Sequence, residues 1–427
     1  MATGTSFLEV IRDTDLLKNL SSRSISALVA TCSSTRKRVQ QLASAVATAG
    51  DGDIELLLRG GWPNLSRLIV RKAVVTPEGL LCIAETWPAL SSISFLSANI
   101  KPTAMQHLAN CACRGTKSWQ GLESLMLADV KLSLPACLKL AVADWPSIKT
   151  IRLRKTGMSA PGLRSVVSAS WTDTLESLDL SCNNMASEHF EQLFTDIHWR
   201  KLHCLNLSFN NIDEDAAAWL IQGQMPALAV LNLRCCDIKA KTMQQLVKAD
   251  WLMLQDINLS SNCLDAAAFT NLPESFWPYI QVLNVSDCQL DIKGISMLKA
   301  VAWPYLQSLD LSRNKLHPDA FFLLNKCEWP IRHLNISRTS MTCGGFQNFT
   351  QGSWPELETI DMSHNGIAQV FYEKLKREHL LGQHPNLGPH VLPSYWLHCA
   401  EGFITSLWPH IEVLQLSDGS DTANSLV

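Results

Sequence analysis

Cysteine and histidine are the residues of this 427-residue chain best suited to metal binding or nucleophilic chemistry, and it holds fourteen of the first and twelve of the second. Their spacing does not support either use. No Cys-x-x-Cys pair occurs; the nearest approaches are Cys111-Ala112-Cys113 and the neighbours Cys235 and Cys236. His379, His384, His390, His398, Cys399 and His410 fall in one irregular stretch, but their intervals match no structural zinc pattern. Phosphate-cradling glycine loops and a nucleophile elbow are absent as well. We therefore expect no catalytic residue, no metal and no cofactor: the chain is not expected to be an enzyme. Lys and Arg total 36 against 39 Asp and Glu, a net charge of −3. That balance argues against a protein built to grip nucleic-acid phosphates. No apolar run is long enough to span a bilayer. Met1 to Val10 lack a basic patch followed by an apolar core, so a cytoplasmic or nuclear protein with reduced thiols is expected.

Asn206-Leu207-Ser208 and Asn258-Leu259-Ser260 have the form of glycosylation acceptors, yet they recur for another reason. Tryptophan reveals it. Trp stands at 62, 87, 119, 145, 171, 199, 251, 277, 303, 329, 354 and 408, with only Trp219 and Trp396 out of phase. Four successive anchors, Trp251, Trp277, Trp303 and Trp329, are 26 residues apart. Met225-Pro226 fills one gap, and His384-Pro385 is read as a decayed anchor in another. Each anchor leads a run such as Trp303-Pro-Tyr-Leu306-Gln-Ser-Leu309-Asp-Leu311-Ser-Arg-Asn314-Lys-Leu316. This is the leucine-rich-repeat pattern. The expected fold is an α/β leucine-rich-repeat solenoid, a curved horseshoe with a parallel concave sheet and helices on the convex side. About 14 repeats are expected over residues 59–418, followed by a flexible tail at 419–427.

The physics of one repeat follows from its residue types. In Leu309-Asp310-Leu311 the apolar residues alternate, so both point to one side of a short strand. Asn183, Asn210, Asn262, Asn314 and Asn365 sit where the chain leaves that strand, and their amides can satisfy backbone groups that the turn would bury. Cys236, Cys288, Thr156 and Thr339 take the same slot elsewhere. A short helix such as 319–324 returns the chain, and Trp-Pro stops it, because proline has no N–H and forces its predecessor extended. The indoles of Trp145, Trp251, Trp277, Trp303, Trp329 and Trp354 are expected to fill the seam between helix and strand rather than to stack on a ligand.

Between the inward leucines, alternate residues point to the concave surface. The central ones are Arg152, Asp179, Asn206, Asn232, Asn258, Asn284, Asp310, Asn335 and Asp361. Two positions on stand Arg154, Ser181, Ser208, Arg234, Ser260, Ser286, Ser312, Ser337 and Ser363. Two readings of this stripe stand: a solvated sheet without further role, or a surface that binds other proteins. Early repeats add Arg67, Arg71, Lys72 and Lys155, so the N-terminal third is basic, whereas the middle adds Asp256 to its aspartates.

Residues 1–58 hold no anchor and are expected to be a helical N-terminal segment. Leu16, Leu17, Leu20, Ile25, Leu28, Val29 and Cys32 recur at helical spacing, with Ser21 and Ser22 placed to cap the second stretch. The segment from Leu16 to Val39, with its leucine-rich start, polar turn and Cys32-then-Arg36 ending, resembles the back half of an F-box. The repeats are likewise similar to those of the F-box leucine-rich-repeat family, with Trp-Pro in place of Cys-Pro. The opening Leu-Pro pair and the late Trp of that family are absent here. The resemblance implies that those seven residues dock on a Skp-type adaptor while the repeats hold a substrate protein for a ubiquitin ligase. The alternative is that these helices only cap the first coil, as a solenoid requires, and that the array is a scaffold without a ligase role. Neither nucleic acid nor membrane is expected as a partner.

Overall fold

A computed structural model describes residues 45–47, 64–110, 119–270, 277–377 and 393–416. The chain divides into two compact units, Met1–Asn206 with Gly223–Ala227, and Leu207–Gln222 with Leu228–Val427.

In the N-terminal unit the strands are β1 (Ala45–Ala47), β2 (Arg67–Arg71), β3 (Val74–Val75), β4 (Ser92–Leu96), β5 (Asn99–Ile100), β6 (Ser124–Ala128), β7 (Thr150–Arg152), β8 (Ser177–Asp179) and β9 (Cys204–Asn206). All but β3 and β5 form one parallel sheet in chain order, and those two pair separately. In the C-terminal unit a second run of parallel strands follows: β10 (Val230–Asn232), β11 (Asp256–Asn258), β12 (Val282–Asn284), β13 (Ser308–Asp310), β14 (His333–Asn335), β15 (Thr359–Asp361) and β16 (Val413–Gln415). Helices alternate with these strands, which is the leucine-rich-repeat solenoid.

One coil shows why the sequence folds this way. Trp303 ends the preceding helical return, and the Leu306 N–H donates to the Trp303 carbonyl at 3.3 Å, turning the chain into Ser308–Asp310. The turn recurs at the other anchors, for example Leu254 to Trp251 and Ile280 to Trp277, both at 3.1 Å. Leu306, Leu309 and Leu311 then bury together. After the strand Arg313 adopts a left-handed backbone (φ 59°), as Lys155, Cys235, Ser261, Asp287, Arg338 and His364 do in their own coils. That conformation costs a side-chain-bearing residue about 1–2 kcal/mol. It is held because the strained residue's N–H reaches the next coil: Arg313 donates to the Ser337 carbonyl at 2.9 Å. The returning helix Pro318–Leu324 starts at His317, whose Nδ1 accepts from the Asp319 N–H. Thr76, Ser159, Asp291 and Thr342 cap other helices by accepting from the N–H of Gly79, Gly162, Gly294 and Gly345.

The seam behind each strand is filled by indole. Trp119, Trp145, Trp199 and Trp303 are fully buried, and Trp87, Trp171, Trp251, Trp277, Trp354 and Trp408 nearly so. Neighbouring rings lie 6.0 Å apart for Trp145 and Trp171, 6.4 Å for Trp251 and Trp277, and 5.4 Å for Trp303 and Trp329. Trp329 is half-buried. Some indole N–H groups find carbonyls, Trp119 donating to Trp87 and Trp199 to Leu193. Those of Trp87, Trp145, Trp171, Trp251 and Trp354 are buried without an acceptor among the described residues. Here ring area outweighs the polar handle.

The structure departs from the sequence expectation at both ends. Residues 1–58 are not wholly helical: Ala45–Ala47 is a strand paired with β2, so the sheet begins a coil earlier than the first Trp anchor. No strand among the described residues answers to His384-Pro385, which itself lies outside them. Thr359 pairs directly with Val413, and the chain between carries two helices, Ile367–Arg377 and Pro393–Leu407. Leaving out β3 and β5, which pair separately, thirteen strands, not fourteen, therefore arise from 59–418 among the described residues.

Candidate functional site

Each strand buries its leucine on one side and leaves the flanking residues on the other. Strand pairing places these open-face residues in rows. In the N-terminal unit Arg152, Asp179 and Asn206 are adjacent in register. In the C-terminal unit Asn232, Asn258, Asn284, Asp310, Asn335, Asp361 and Gln415 form one row. The stripe read from the sequence is thus assembled within each unit. Arg152 and Arg154 are exposed, and the Asn and Asp of the rows half-buried.

The second stripe is not where it was expected. Ser181, Ser208, Ser260, Ser286, Ser312, Ser337 and Ser363 are buried, not presented to solvent. The central side chain folds over each of these turns. Asn258 Oδ1 accepts from the Ser260 N–H at 3.0 Å and its hydroxyl at 2.7 Å; Asn284 does the same for Ser286, and Asn335 for Ser337. Asp179, Asp310 and Asp361 accept the N–H two residues on at 2.9 Å. The Asn-x-Ser triplets are therefore local turn devices that satisfy backbone leaving the strand. Only Arg154 and Arg234 break the buried-serine series by standing exposed.

The buried asparagines act between coils. Asn314 Nδ2 donates to the carbonyls of Val285 (2.8 Å) and Leu311 (2.9 Å), while its Oδ1 accepts from the N–H groups of Cys288 (2.9 Å) and Leu290 (3.0 Å). Asn262 serves Leu233, Leu259, Cys236 and Ile238 identically, and Asn183 and Asn365 clamp their preceding coils in the same manner. Asn210 donates to Leu207. Where Cys or Thr takes the slot, its side chain reaches a carbonyl: Cys236 to Leu207, Cys288 to Leu259 and Thr339 to Ile336. Burial pushes the thiols of Cys236 and Cys288 up to about 12, so neither is a thiolate near neutral pH.

A groove of about 300 Å³ crosses the open face at β13 to β16, lined by Asp310, His333, Asn335, Thr359, Asp361 and Gln415. His333 Nδ1 lies 2.9 Å from Thr359 Oγ1. No group of three or more His, Cys, Asp or Glu among the described residues is placed to hold a metal. His410, one of the C-terminal cluster, instead contacts the Trp354 carbonyl at 2.9 Å; His379, His384 and His390 lie outside the described residues. So do Leu16, Leu17, Leu20, Ile25, Leu28, Val29 and Cys32, expected to face an adaptor. Among the described residues no helix is long and apolar enough to cross a membrane. Reading one position per strand missed Ile69, Leu96 and Met126, which project on the early open face beside Arg67 and Arg71. Their alternation along five-residue strands is the signal that finds them.

Repeats, clamps and sheet define the chain as a leucine-rich-repeat protein. A leucine-rich-repeat family profile matches residues 174–188 and 199–217. Among solved structures, the chain is similar to an internalin (InlF) of Listeria monocytogenes, with 14% identity, a TM-score of 0.40 and coverage of 80% of this chain and 83% of that one. It is also similar to a chain of the yeast Rad7–Elc1 complex, with 17% identity, a TM-score of 0.47 and coverage of 83% and 86%. No curated protein matches.

Proposed function

We propose that the chain is a protein-binding scaffold whose partner lies on the open strand face. One observation carries this reading: the strands present continuous rows of half-exposed polar side chains over a core that seals everything behind them, while the described residues offer no metal group. A solenoid of this kind works by contact along a repeated surface. The test is affinity capture with the full chain and with one variant of each unit's open face, Arg152→Glu/Arg154→Glu and Asn258→Arg/Asn335→Arg, partners being identified by mass spectrometry. Loss of the captured set in either variant supports the reading; a set unchanged in both overturns it.

A finer reading rests on the segment Leu16–Val39, which resembles part of an F-box. It makes the chain the substrate-recognition subunit of an SCF-type ubiquitin ligase, with Leu16, Leu17, Leu20, Ile25, Leu28, Val29 and Cys32 on a Skp-type adaptor and the rows holding the substrate. A pull-down with the adaptor decides it. Binding that Leu20→Asp abolishes supports the receptor, and absence of binding leaves the scaffold.

A further inference from the structure

The open face of the N-terminal unit differs from a solvated sheet in one respect. Strands β2, β4, β6 and β7 contain no carboxylate, and their open side carries Arg67, Arg71 and Arg152, with Arg154 just beyond β7. All four arginines are exposed. Arg67, Arg152 and Arg154 make no ion pair with any described residue. Among the described residues, two carboxylates that flank these strands are already engaged. Asp129, past the end of β6, is 2.9 Å from Lys155 and accepts from Ser97, contacts that hold its pKa below the usual range. Asp179, opposite Arg152 on β8, accepts from the Ser181 N–H.

Between the arginines the register places small and apolar groups. Ile69, Ser94, Met126 and Arg152 share one row; Arg71, Leu96 and Ala128 share the next, and the Asp129 N–H joins that row to the Arg154 carbonyl at 2.9 Å. Ile69, Leu96 and Met126 are half-buried, leaving an apolar strip walled by guanidiniums. Three strand steps separate the walls, roughly 14 Å at about 4.8 Å per step. An extended chain rises about 3.3 Å per residue, so four residues bridge the same gap. Guanidinium matches carboxylate geometry through paired N–H donors.

We infer that the N-terminal open face takes an extended acidic protein segment running across the strands, with carboxylates four residues apart on the two arginine walls and an apolar side chain between them on Leu96 and Met126. This deepens the protein-binding reading and rests on it. A single-stranded nucleic acid would also seek the arginines, but it needs aromatic platforms for its bases. The open positions of these strands carry none; their one ring, Phe95, is buried.

The test uses the full chain to pan a phage library of random peptides of about 12 residues, and measures the winning synthetic peptide by fluorescence anisotropy. Winners enriched in Asp or Glu four positions apart are expected. Kd should rise at least about tenfold in Arg152→Glu/Arg154→Glu, and likewise in Arg67→Glu/Arg71→Glu, because reversal places like charges at each wall. Arg152→Lys/Arg154→Lys, which keeps the charge and loses the paired donors, should weaken binding by less than the reversal does; Asp310→Asn/Asp361→Asn should change it little, and binding should weaken severalfold from about 50 to about 250 mM salt. Melting curves confirm that the variants fold. Winners without acidic enrichment that are lost on Asn258→Arg/Asn335→Arg overturn this inference and leave the scaffold reading standing. Failure to select any peptide counts against both. Tighter binding of a twelve-base thymidine oligonucleotide, abolished by the same arginine reversals, overturns the acidic segment in favour of nucleic acid.

Discussion

The open faces of the two units are cast in one mould and finished differently. In the C-terminal unit nearly every central Asn or Asp turns back on its own chain and caps a buried serine two residues on, so much of its hydrogen-bonding capacity is used at home. Arg234, whose guanidinium lies 5.9 Å from the Phe209 ring, is the departure. In the N-terminal unit the early strands carry Arg67, Arg71, Arg152 and Arg154, whose guanidiniums hold donors only and so cannot accept a turn N–H. The difference separates what the fold needs from what it leaves over. A row whose polar atoms bond inward contributes stability; exposed guanidiniums such as those of Arg152 and Arg154 contribute little of it.

That comparison breaks first if the mould is not shared. Trp145→Ala in the N-terminal unit and Trp277→Ala in the C-terminal unit each remove a buried ring that contacts the ring of a neighbouring coil. Each is expected to cost about 3–5 kcal/mol, by lost transfer energy and residual cavity. Chemical denaturation of the two variants checks it. A cost near zero in either would mean that indole does not hold that unit's seam.

The clamps give the next largest effect. Asn183→Ala and Asn314→Ala each strand buried N–H and C=O groups on two successive coils. Unsatisfied buried groups cost about 1–3 kcal/mol apiece, offset in part where water enters, so a loss of roughly 2–4 kcal/mol is expected for both. Urea midpoints measure it. By contrast Arg152→Ala should shift stability by no more than about 0.5 kcal/mol, as for an exposed side chain without an ion-pair partner among the described residues. An Arg152 variant as damaging as the Asn variants would erase the distinction between the two kinds of row.

Helix packing supplies a smaller, opposed pair of terms. A Cβ at Gly345 would meet the ring edge of Phe321 at 3.0 Å, and Phe321 is fully buried. Gly345→Ala gains about 0.5–1 kcal/mol of helix propensity and loses about 1–3 kcal/mol to overpacking. Net destabilisation near 1 kcal/mol is expected, whereas Gly402→Ala, with open space around it, should stabilise slightly. Thermal melts of the pair settle the sign.

These contrasts also show where the sequence suffices and where it does not. The period, the inward leucines and the Asn slot follow from residue type and spacing, because each coil must repeat the same backbone bonds. The seam indoles follow for the same reason. The burial of Ser260 and Ser286 does not, since an Asx turn hides a polar side chain that alternation alone places outside. Nor does the strand at Ala45–Ala47, three small residues with no leucine pattern, held by pairing with Arg67–Ile69. The missing coil near residue 387 escapes a count in which every interval near 52 residues contains two repeats, because β15 to β16 is one long excursion through two helices. The arginine walls are visible as residues but not as a pair. Only register shows that β2 and β7 are three strands apart.

The smallest effect tests the C-terminal row from its edge. Asp256 opens β11 half-buried, and burial raises its pKa above the usual carboxylate value. Its charged form is therefore less favourable in the folded chain than in the unfolded one. For a carboxyl raised on folding, the stability is greatest below the unfolded value and declines as pH rises from there through the folded value. Above both, Asp256 is a small standing cost. Asp256→Asn keeps the shape and removes the charge, so it should stabilise the protein at pH 7 by less than about 1 kcal/mol, solvent screening keeping the effect small. At pH 3, where the wild-type carboxyl is protonated in both states, the two proteins should melt alike. Urea titrations at the two pH values measure the difference. A stabilisation equal at both would trace to something other than charge. A loss at pH 7 would show that Asp256 has a partner after all, so that the edge of this row is tied to a contact within the fold while the arginine walls stand exposed.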